Sequence, residues 1–265
     1  MWNTIIIQPF INLILGIYHV VGNFGVAIIL FTILTRVLLY PLTAKQIKGS
    51  QAMQELQKNK RYLEIQEKYK NDKEKLAQEQ MKLYQELGIS PFSSCLPTLI
   101  QFPIIIGLYQ ALIQTIASAP LDLLKLSRQI YPKLLDFSAL FPLNTKFLWM
   151  NVGQPERLYI FGIGIPVLTI VVVITTYIST KIITPPTQPG AKDQSAAMTG
   201  MMNIYMPILM GWLAYSLSAG LALYFVTSNL IQIAQYAFTG KAYWGNLLPK
   251  KKDDSKGKDQ AIIKK

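Results

Sequence analysis

The sequence predicts an all-α polytopic membrane protein with five transmembrane helices, an outside N terminus, an inside C terminus and a cytosolic helical hairpin. Three observations carry that prediction. Of 265 residues, 51% are hydrophobic and only 15% charged, with a mean hydropathy of +0.28, whereas soluble domains carry about 25% charged residues. Five apolar runs approach the roughly 20 helical residues needed to cross a bilayer core of about 30 Å. The 26 Lys and Arg residues are segregated: none precedes Arg36, ten lie between Lys45 and Lys82, and eight lie between Lys241 and Lys265. This distribution excludes an ordinary soluble enzyme and argues against a pure nucleic-acid binder. Cys95 is the single cysteine, which excludes a disulfide framework or a Cys-rich metal centre, and His19 alone builds no His cluster. No metal and no cofactor is expected.

Residues 1–17 read as an interfacial amphipathic helix on the outer leaflet, with Asn3, Gln8 and Asn12 offering a wet side. A disordered hydrophobic leader is the other reading of this segment. It has neither the basic n-region nor the small-residue cleavage site of a signal peptide. Residues 18–43 form the first span, charged only at Arg36. Residues 44–90 hold ten basic and seven acidic residues and no Pro. Tyr62, Tyr69, Leu76 and Leu83 repeat every seven residues there, giving one narrow apolar seam. Asn71 followed by Glu74 resembles a helix start, so a break near Asn71 predicts two antiparallel helices. A solvated coiled-coil spacer fits the same pattern.

The second span, 94–118, carries no charge, and 119–157, with four prolines, should be an extracytosolic cap of short helices and turns. The third span is 158–180. A cytosolic loop over 181–199 follows, where Pro185, Pro186, Pro189 and Gly190 predict a mobile linker. The fourth and fifth spans, 200–217 and 219–238, form an almost continuous apolar block split near Ser216, Ser218 and Gly220. No acid, Lys or Arg occurs from Gln194 to Gly240. Residues 239–265 form a basic cytosolic tail. With the N terminus outside, the inner segments hold twenty Lys and Arg residues and the outer segments five, which sets the orientation.

The chemistry centres on Arg36. A guanidinium within a hydrocarbon span costs several kcal/mol unless water, a partner or a cavity receives it. Arg36 lies about 10 Å from the cytosolic end of its helix, so it either snorkels to the interface or faces a water-filled recess. Neutral polar residues favour the recess: Thr32 one turn away, Thr98 and Gln101 early in the second span, and Tyr224, Ser228, Gln232 and Gln235 along the fifth. No Asp or Glu within the spans is available for a lasting ion pair. An unpaired positive charge in a wet recess attracts an anion or an acidic peptide. A second feature is the stripe Met198, Met202, Met206 and Met210, with Met201 beside it. Flexible Met suits a surface that accepts varied apolar segments, and ordinary helix packing or lipid exposure explains the stripe equally.

Four strings carry a family resemblance: NFGVAIILFTILTRVLLYPLTAKQ, LYQELGISPFSSCLPTLIQFPIIIGLYQAL, FLWMNV and MPILMGWLAYSLSAGLALYFVTSNLIQIAQ. Together they resemble the core of the YidC family of membrane protein insertases over about residues 20–240. The resemblance includes the span-embedded Arg36, the set Cys95, Leu96, Pro97, Gln101 and Pro103, and the Ala-Gly-Leu and Ser-Asn pairs of the last span. It implies five core helices, the cytosolic hairpin and a hydrophilic groove open to cytosol and lipid but closed outside. Arg36 matches the groove arginine, and Thr32, Gln101, Tyr224, Ser228 and Gln232 fall near that groove, with Met202, Met206 and Met210 as slide candidates. Ser94 stands where the family usually has Gly and Ser218 where it often has Pro. The acidic residue expected after FLWMNV arrives as Glu156 behind Pro155. A large extracytosolic domain does not fit before Val21, so a short form is expected.

The resemblance further implies a multi-pass protein of the bacterial inner membrane that inserts and chaperones nascent hydrophobic segments. Nascent membrane proteins, the ribosome, membrane lipids and the Sec translocon are the implied partners. Lys250, Lys251 and Lys252 in the low-complexity tail are candidate contacts for ribosomal RNA or anionic lipid, and topology determination alone also explains them. There is no G-x-x-x-x-G-K-[ST] phosphate loop, and no enzymatic activity is expected. A small-solute or ion transporter and a non-inserting assembly factor are the competing functional classes. The former predicts an internal repeat, which the sequence lacks.

Overall fold

In the computed structural model, residues 1–57, 59–69, 72–88, 96–116, 120–131, 140–160, 163–184, 194–240 and 242–247 are described. The side chains at 45–46, 50–51, 53–54, 57, 73, 96–101, 120–121, 160, 163 and 194–202 are excepted. The linker prolines Pro185, Pro186 and Pro189 and the tail residues Lys250, Lys251 and Lys252 lie outside the described residues, as do Asn71 and Cys95. The chain is mostly helical.

A π-helical turn (Asn3–Ile7) runs into α1 (Gln8–Val21), so the first helix continues past the expected boundary at residue 17. Gly22 ends it with a left-handed φ of 68° and an N–H donated to the Tyr18 carbonyl. Asn23 then starts α2 (Phe24–Leu38), its side chain accepting from Val26 N. This stop and restart divides the predicted span 18–43 between two helices. A further bend of 56° around Leu39 leads into α3 (Tyr40–Gln57), whose second residue, Pro41, is tolerated only because a first-turn N–H has no helical partner. Of the residues expected on the wet side of the first helix, Asn3 is exposed and Gln8 half-buried, but Asn12 is not on it. Asn12 is only 2% exposed. It donates to Gln8 O and Gln129 O and accepts from Tyr131 N, pinning α1 to the segment after α7. A buried amide with three satisfied bonds is a packing element, which residue type alone does not reveal.

The charged region forms a helical hairpin of α4 (Lys60–Lys68) and α5 (Lys73–Glu86), each with its own cap: Asn59 accepts from Arg61 N and Asp72 from Lys75 N. Leu56, Tyr62 and Leu83 form its small core, Tyr62 stacks on Tyr84, and an exposed Arg61–Glu86 pair at 2.6 Å joins the open ends. The expected heptad seam therefore does not run as one stripe. Tyr69 is the C-cap of α4, which ends at Lys68, and α5 starts at Lys73.

In the bundle, α2, α6 (Leu96–Thr115), α8 (Val167–Ile183) and α9 (Gln194–Ser216) all touch α10 (Ala219–Phe238). Gly211 lets α8 and α9 approach, since a Cβ there would lie 2.4 Å from Val173 Cγ2. The cap between α6 and α8 contains α7 (Pro120–Ser127) and an antiparallel ribbon, β1 (Lys146–Phe147) with β2 (Met150–Asn151). A second ribbon, β3 (Leu158–Ile160) with β4 (Ile163–Ile165), occupies the expected start of the third span, so that helix begins at Val167 instead of 158. These two short ribbons are the strands of the described residues, and the chain remains mostly helical, consistent with the all-α class. Pro166 explains the later start: it disfavours helix at the residue before it and sits as the N-cap of α8.

One contiguous core lies at the cap end. It joins Ile11, Ile14 and Leu15 of α1, Phe24, Ile28 and Phe31 of α2, Leu108 and Leu112 of α6, and Leu221 of α10. Phe10 meets Phe31 edge-on at 5.2 Å. The cap closes onto α10 through backbone bonds: Ala219 N donates to Gln154 O and Gly220 N to Val152 O, both at 2.8 Å. These carbonyls serve first-turn N–H groups that Ser218 leaves unserved.

Candidate functional site

At the opposite end of the bundle, facing the hairpin, α10 changes character. Every residue from Ala219 to Phe225 is buried, whereas only Ser228 is buried from Val226 to Gln235. The polar residues of this half, Ser228, Asn229, Gln232 and Gln235, occur at helical spacing and meet two different neighbours.

Toward α2 stands Arg36, in the last turn of its helix and half-buried. Its Nε donates to Ser228 Oγ at 3.0 Å, and its Nη2 donates to the same oxygen. Tyr224, one turn earlier and buried, interacts electrostatically with Arg36. Among the described residues no acid pairs with Arg36, and the ion pairs found lie in the hairpin and α7. A neutral hydroxyl thus orients the guanidinium without cancelling its charge. Two donations to one oxygen still leave the fork with donors for a carboxylate or a peptide carbonyl.

Toward α8 a second set of bonds forms. Asn229 Nδ2 donates to Thr175 Oγ1 at 3.2 Å and Thr176 Oγ1 at 2.8 Å, and Ser179 Oγ donates to Gln232 Oε1 at 3.2 Å. Between helices in an apolar setting, each such bond is worth about 0.6 kcal/mol on average. Gln235 Oε1 is buried without a partner among the described residues.

The sequence-predicted residues fare differently. Arg36, Tyr224 and Ser228 come together. Gln232 lies one turn beyond Ser228 but is engaged with α8. Thr32 is fully buried and its hydroxyl donates to Ile28 O at 2.7 Å, so it offers no free hydroxyl beside Arg36. Gln101 belongs to α6, with its side chain outside the described residues, as is that of Met202. Met206 is half-buried, and Met210 packs against the cap-side core. Sequence reasoning missed Thr175, Thr176, Ser179 and Asn229 as a set. The signal was present: hydroxyls at 175, 176 and 179 interrupt an otherwise apolar run, and Asn229 precedes Gln232 by one turn. No cluster able to hold a metal exists among the described residues.

At the cap end Glu156 also acquires a role. It is buried, Oε1 accepts from Trp149 Nε1 at 2.8 Å, and Oε2 accepts from Leu168 N at 3.0 Å. A carboxylate on the first turn of α8 satisfies an orphan N–H and complements the helix dipole.

A helical bundle with exposed large apolar side chains on its outer faces, a buried core at the capped end and an arginine that no acid among the described residues pairs is the build of an integral membrane protein. The sequence profile of the 60Kd inner membrane protein family matches residues 16–245. The chain is 34% identical to the membrane protein insertase YidC of Oceanobacillus iheyensis, over 91% of this chain and 84% of that protein. It is 38% identical to YidC of Caldanaerobacter subterraneus subsp. tengcongensis, over 83% and 86%. To the membrane protein insertase MisCA of Bacillus subtilis it is 34% identical, over 88% and 77%. The chain belongs to this family, the YidC family of membrane protein insertases, as its motifs resembled.

Proposed function

We propose that this protein is a bacterial membrane protein insertase that receives nascent hydrophobic segments in a polar groove around Arg36 and releases them sideways into the bilayer. The single observation that carries this reading is the Arg36–Ser228 arrangement: a cation held by a hydroxyl, paired with no acid among the described residues, beside a half-exposed polar seam. The hairpin end is the cytosolic end, and five spans with the N terminus outside complete the proposed topology. A short acidic or polar tail of the substrate enters and meets the guanidinium. Its apolar segment then moves past α2 and α9, where Met202 and Met206 are candidate slide residues, into lipid. Burial of apolar area at about 25 cal/mol per Å² drives the step without a nucleotide. A membrane potential adds about 2.3 kcal/mol per charge per 100 mV for an acidic tail. Ribosome or lipid contact through Lys250, Lys251 and Lys252, a chaperone role and cooperation with the Sec translocon belong to the same proposal.

Purified protein in liposomes with one single-span substrate bearing an acidic outer tail tests it. Wild type should give protease-protected substrate, Arg36→Ala about tenfold less, equivalent to about 1.4 kcal/mol, and Arg36→Lys an intermediate yield, because charge is the main requirement. Wild-type yield from Arg36→Ala would remove the electrostatic step. Solute leakage in place of insertion would favour a transporter, and neither outcome would favour a non-inserting assembly factor.

A further inference from the structure

Arg157 sits at the cap end, directly after the buried Glu156, yet the two do not pair, since Trp149 Nε1 and Leu168 N occupy the carboxylate. The guanidinium instead lies over the Tyr215 ring, 5.4 Å from its centroid, with Nη2 donating to Tyr215 Oη at 3.3 Å. Its stem and the Tyr159 ring both cross Gly164, where a Cβ would lie 3.6 Å from Arg157 Cδ and 3.3 Å from Tyr159 Cε1. Tyr159 is 69% exposed. No acid among the described residues forms an ion pair with Arg157. The charge is thus oriented by a ring and a hydroxyl, open to solvent, and uncancelled.

Below it on α9 runs an exposed apolar strip, Ile204, Ile208 and Trp212, spaced four residues apart and leading to Tyr215. From Ile204 to Tyr215 the helix rises about 16 Å. That matches one hydrocarbon leaflet, about half of a 30 Å core. The strip is therefore as long as one acyl chain, and it ends under a cation flanked by amphipathic aromatic residues, the residue types that occupy the headgroup level.

We propose that Arg157, Tyr159 and Tyr215 form a binding site for the phosphodiester headgroup of a phospholipid in the cap-side leaflet, its acyl chain lying along Ile204, Ile208 and Trp212. The guanidinium supplies a planar fork for two phosphate oxygens, and the tyrosine hydroxyls supply further donors. The proposal rests on the membrane reading above but not on Arg36 chemistry.

The test is native mass spectrometry of the full chain released from nanodiscs of phosphatidylglycerol, with thermal unfolding in detergent as a folding control. Wild type should retain lipid, and Arg157→Gln should retain about fivefold less, equivalent to about 1 kcal/mol, at an unchanged Tm. Tyr215→Phe, which keeps the ring and loses the hydroxyl, should fall between them. Arg36→Ala should retain lipid like wild type, so failure of the insertion mechanism and failure of this site are separately visible. Equal retention by wild type and Arg157→Gln overturns the site. Displacement of the lipid by millimolar inorganic phosphate also overturns it, because the site would then bind a free anion.

Discussion

The cap-side and hairpin-side halves of the bundle are built from the same helices by different rules. Along α10, Ala219 to Phe225 disappear into a core shared with α1, α2 and α6, and backbone carbonyls of the cap hold the helix start. Two turns later the same helix presents Ser228, Asn229 and Gln232, and its contacts become side chain to side chain. Its partner α2 changes with it: Phe24, Ile28 and Phe31 are buried, whereas Ile33, Val37 and Leu38 are exposed. One half is held by dispersion and shape, which are sensitive to any lost volume. The other relies on a few side-chain hydrogen bonds, one of them from a charged guanidinium, in place of a continuous apolar core. The two ends of one helix are thus held in different ways, and the proposed insertion site lies at the hydrogen-bonded end.

Substitutions can break or sharpen this contrast. The largest effect is expected at Phe31, fully buried and edge-on to Phe10: Phe31→Ala should cost about 3–5 kcal/mol through the cavity it leaves, read as a lowered Tm in detergent. Glu156→Gln should cost about 2 kcal/mol, because a charge-assisted buried bond is lost and an amide N–H₂ faces either Trp149 Nε1 or Leu168 N. Proteolysis within the cap should rise in parallel. On the hairpin side, Ser228→Ala should cost about 1 kcal/mol yet reduce insertion, since Arg36 loses the hydroxyl that accepts from its Nε and Nη2. A Tm drop as large as that of Phe31→Ala would show that the two halves are equally rigid and end the contrast. The smallest effect is expected at Asn229→Leu, about 0.6 kcal/mol from the bonds to Thr175 and Thr176. Double mutants with Thr176→Val should show whether those bonds couple.

Much of this was legible in the amino-acid order. The helix over 219–238 stands where hydropathy and the Ser218-Ala219-Gly220 break put it. Charge and a capping residue near 71 suggest a second helix in the charged region, and α5 starts there with Asp72 as its cap. The candidate site was legible at Arg36, whose partner Ser228 was among the polar residues singled out, because a charge in an apolar run stands out against any background. It was illegible at Thr32, whose hydroxyl turns back onto its own helix, a choice that residue type does not encode. The same holds for Asn12, polar by type and buried by packing.

The sequence alone determined the family, the mostly helical class and the position of a charge within an apolar run, because hydropathy, capping and charge are local properties summed over a turn or a span. Tertiary structure decided that Arg36 would be received by a hydroxyl 192 residues away, that Glu156 would cap α8 while Arg157 turned to Tyr215, and that Leu158–Ile165 would fold as a ribbon before the helix began. Those outcomes depend on which faces meet. A hydrogen bond between distant residues exists only after packing has brought its donor and acceptor within about 3 Å.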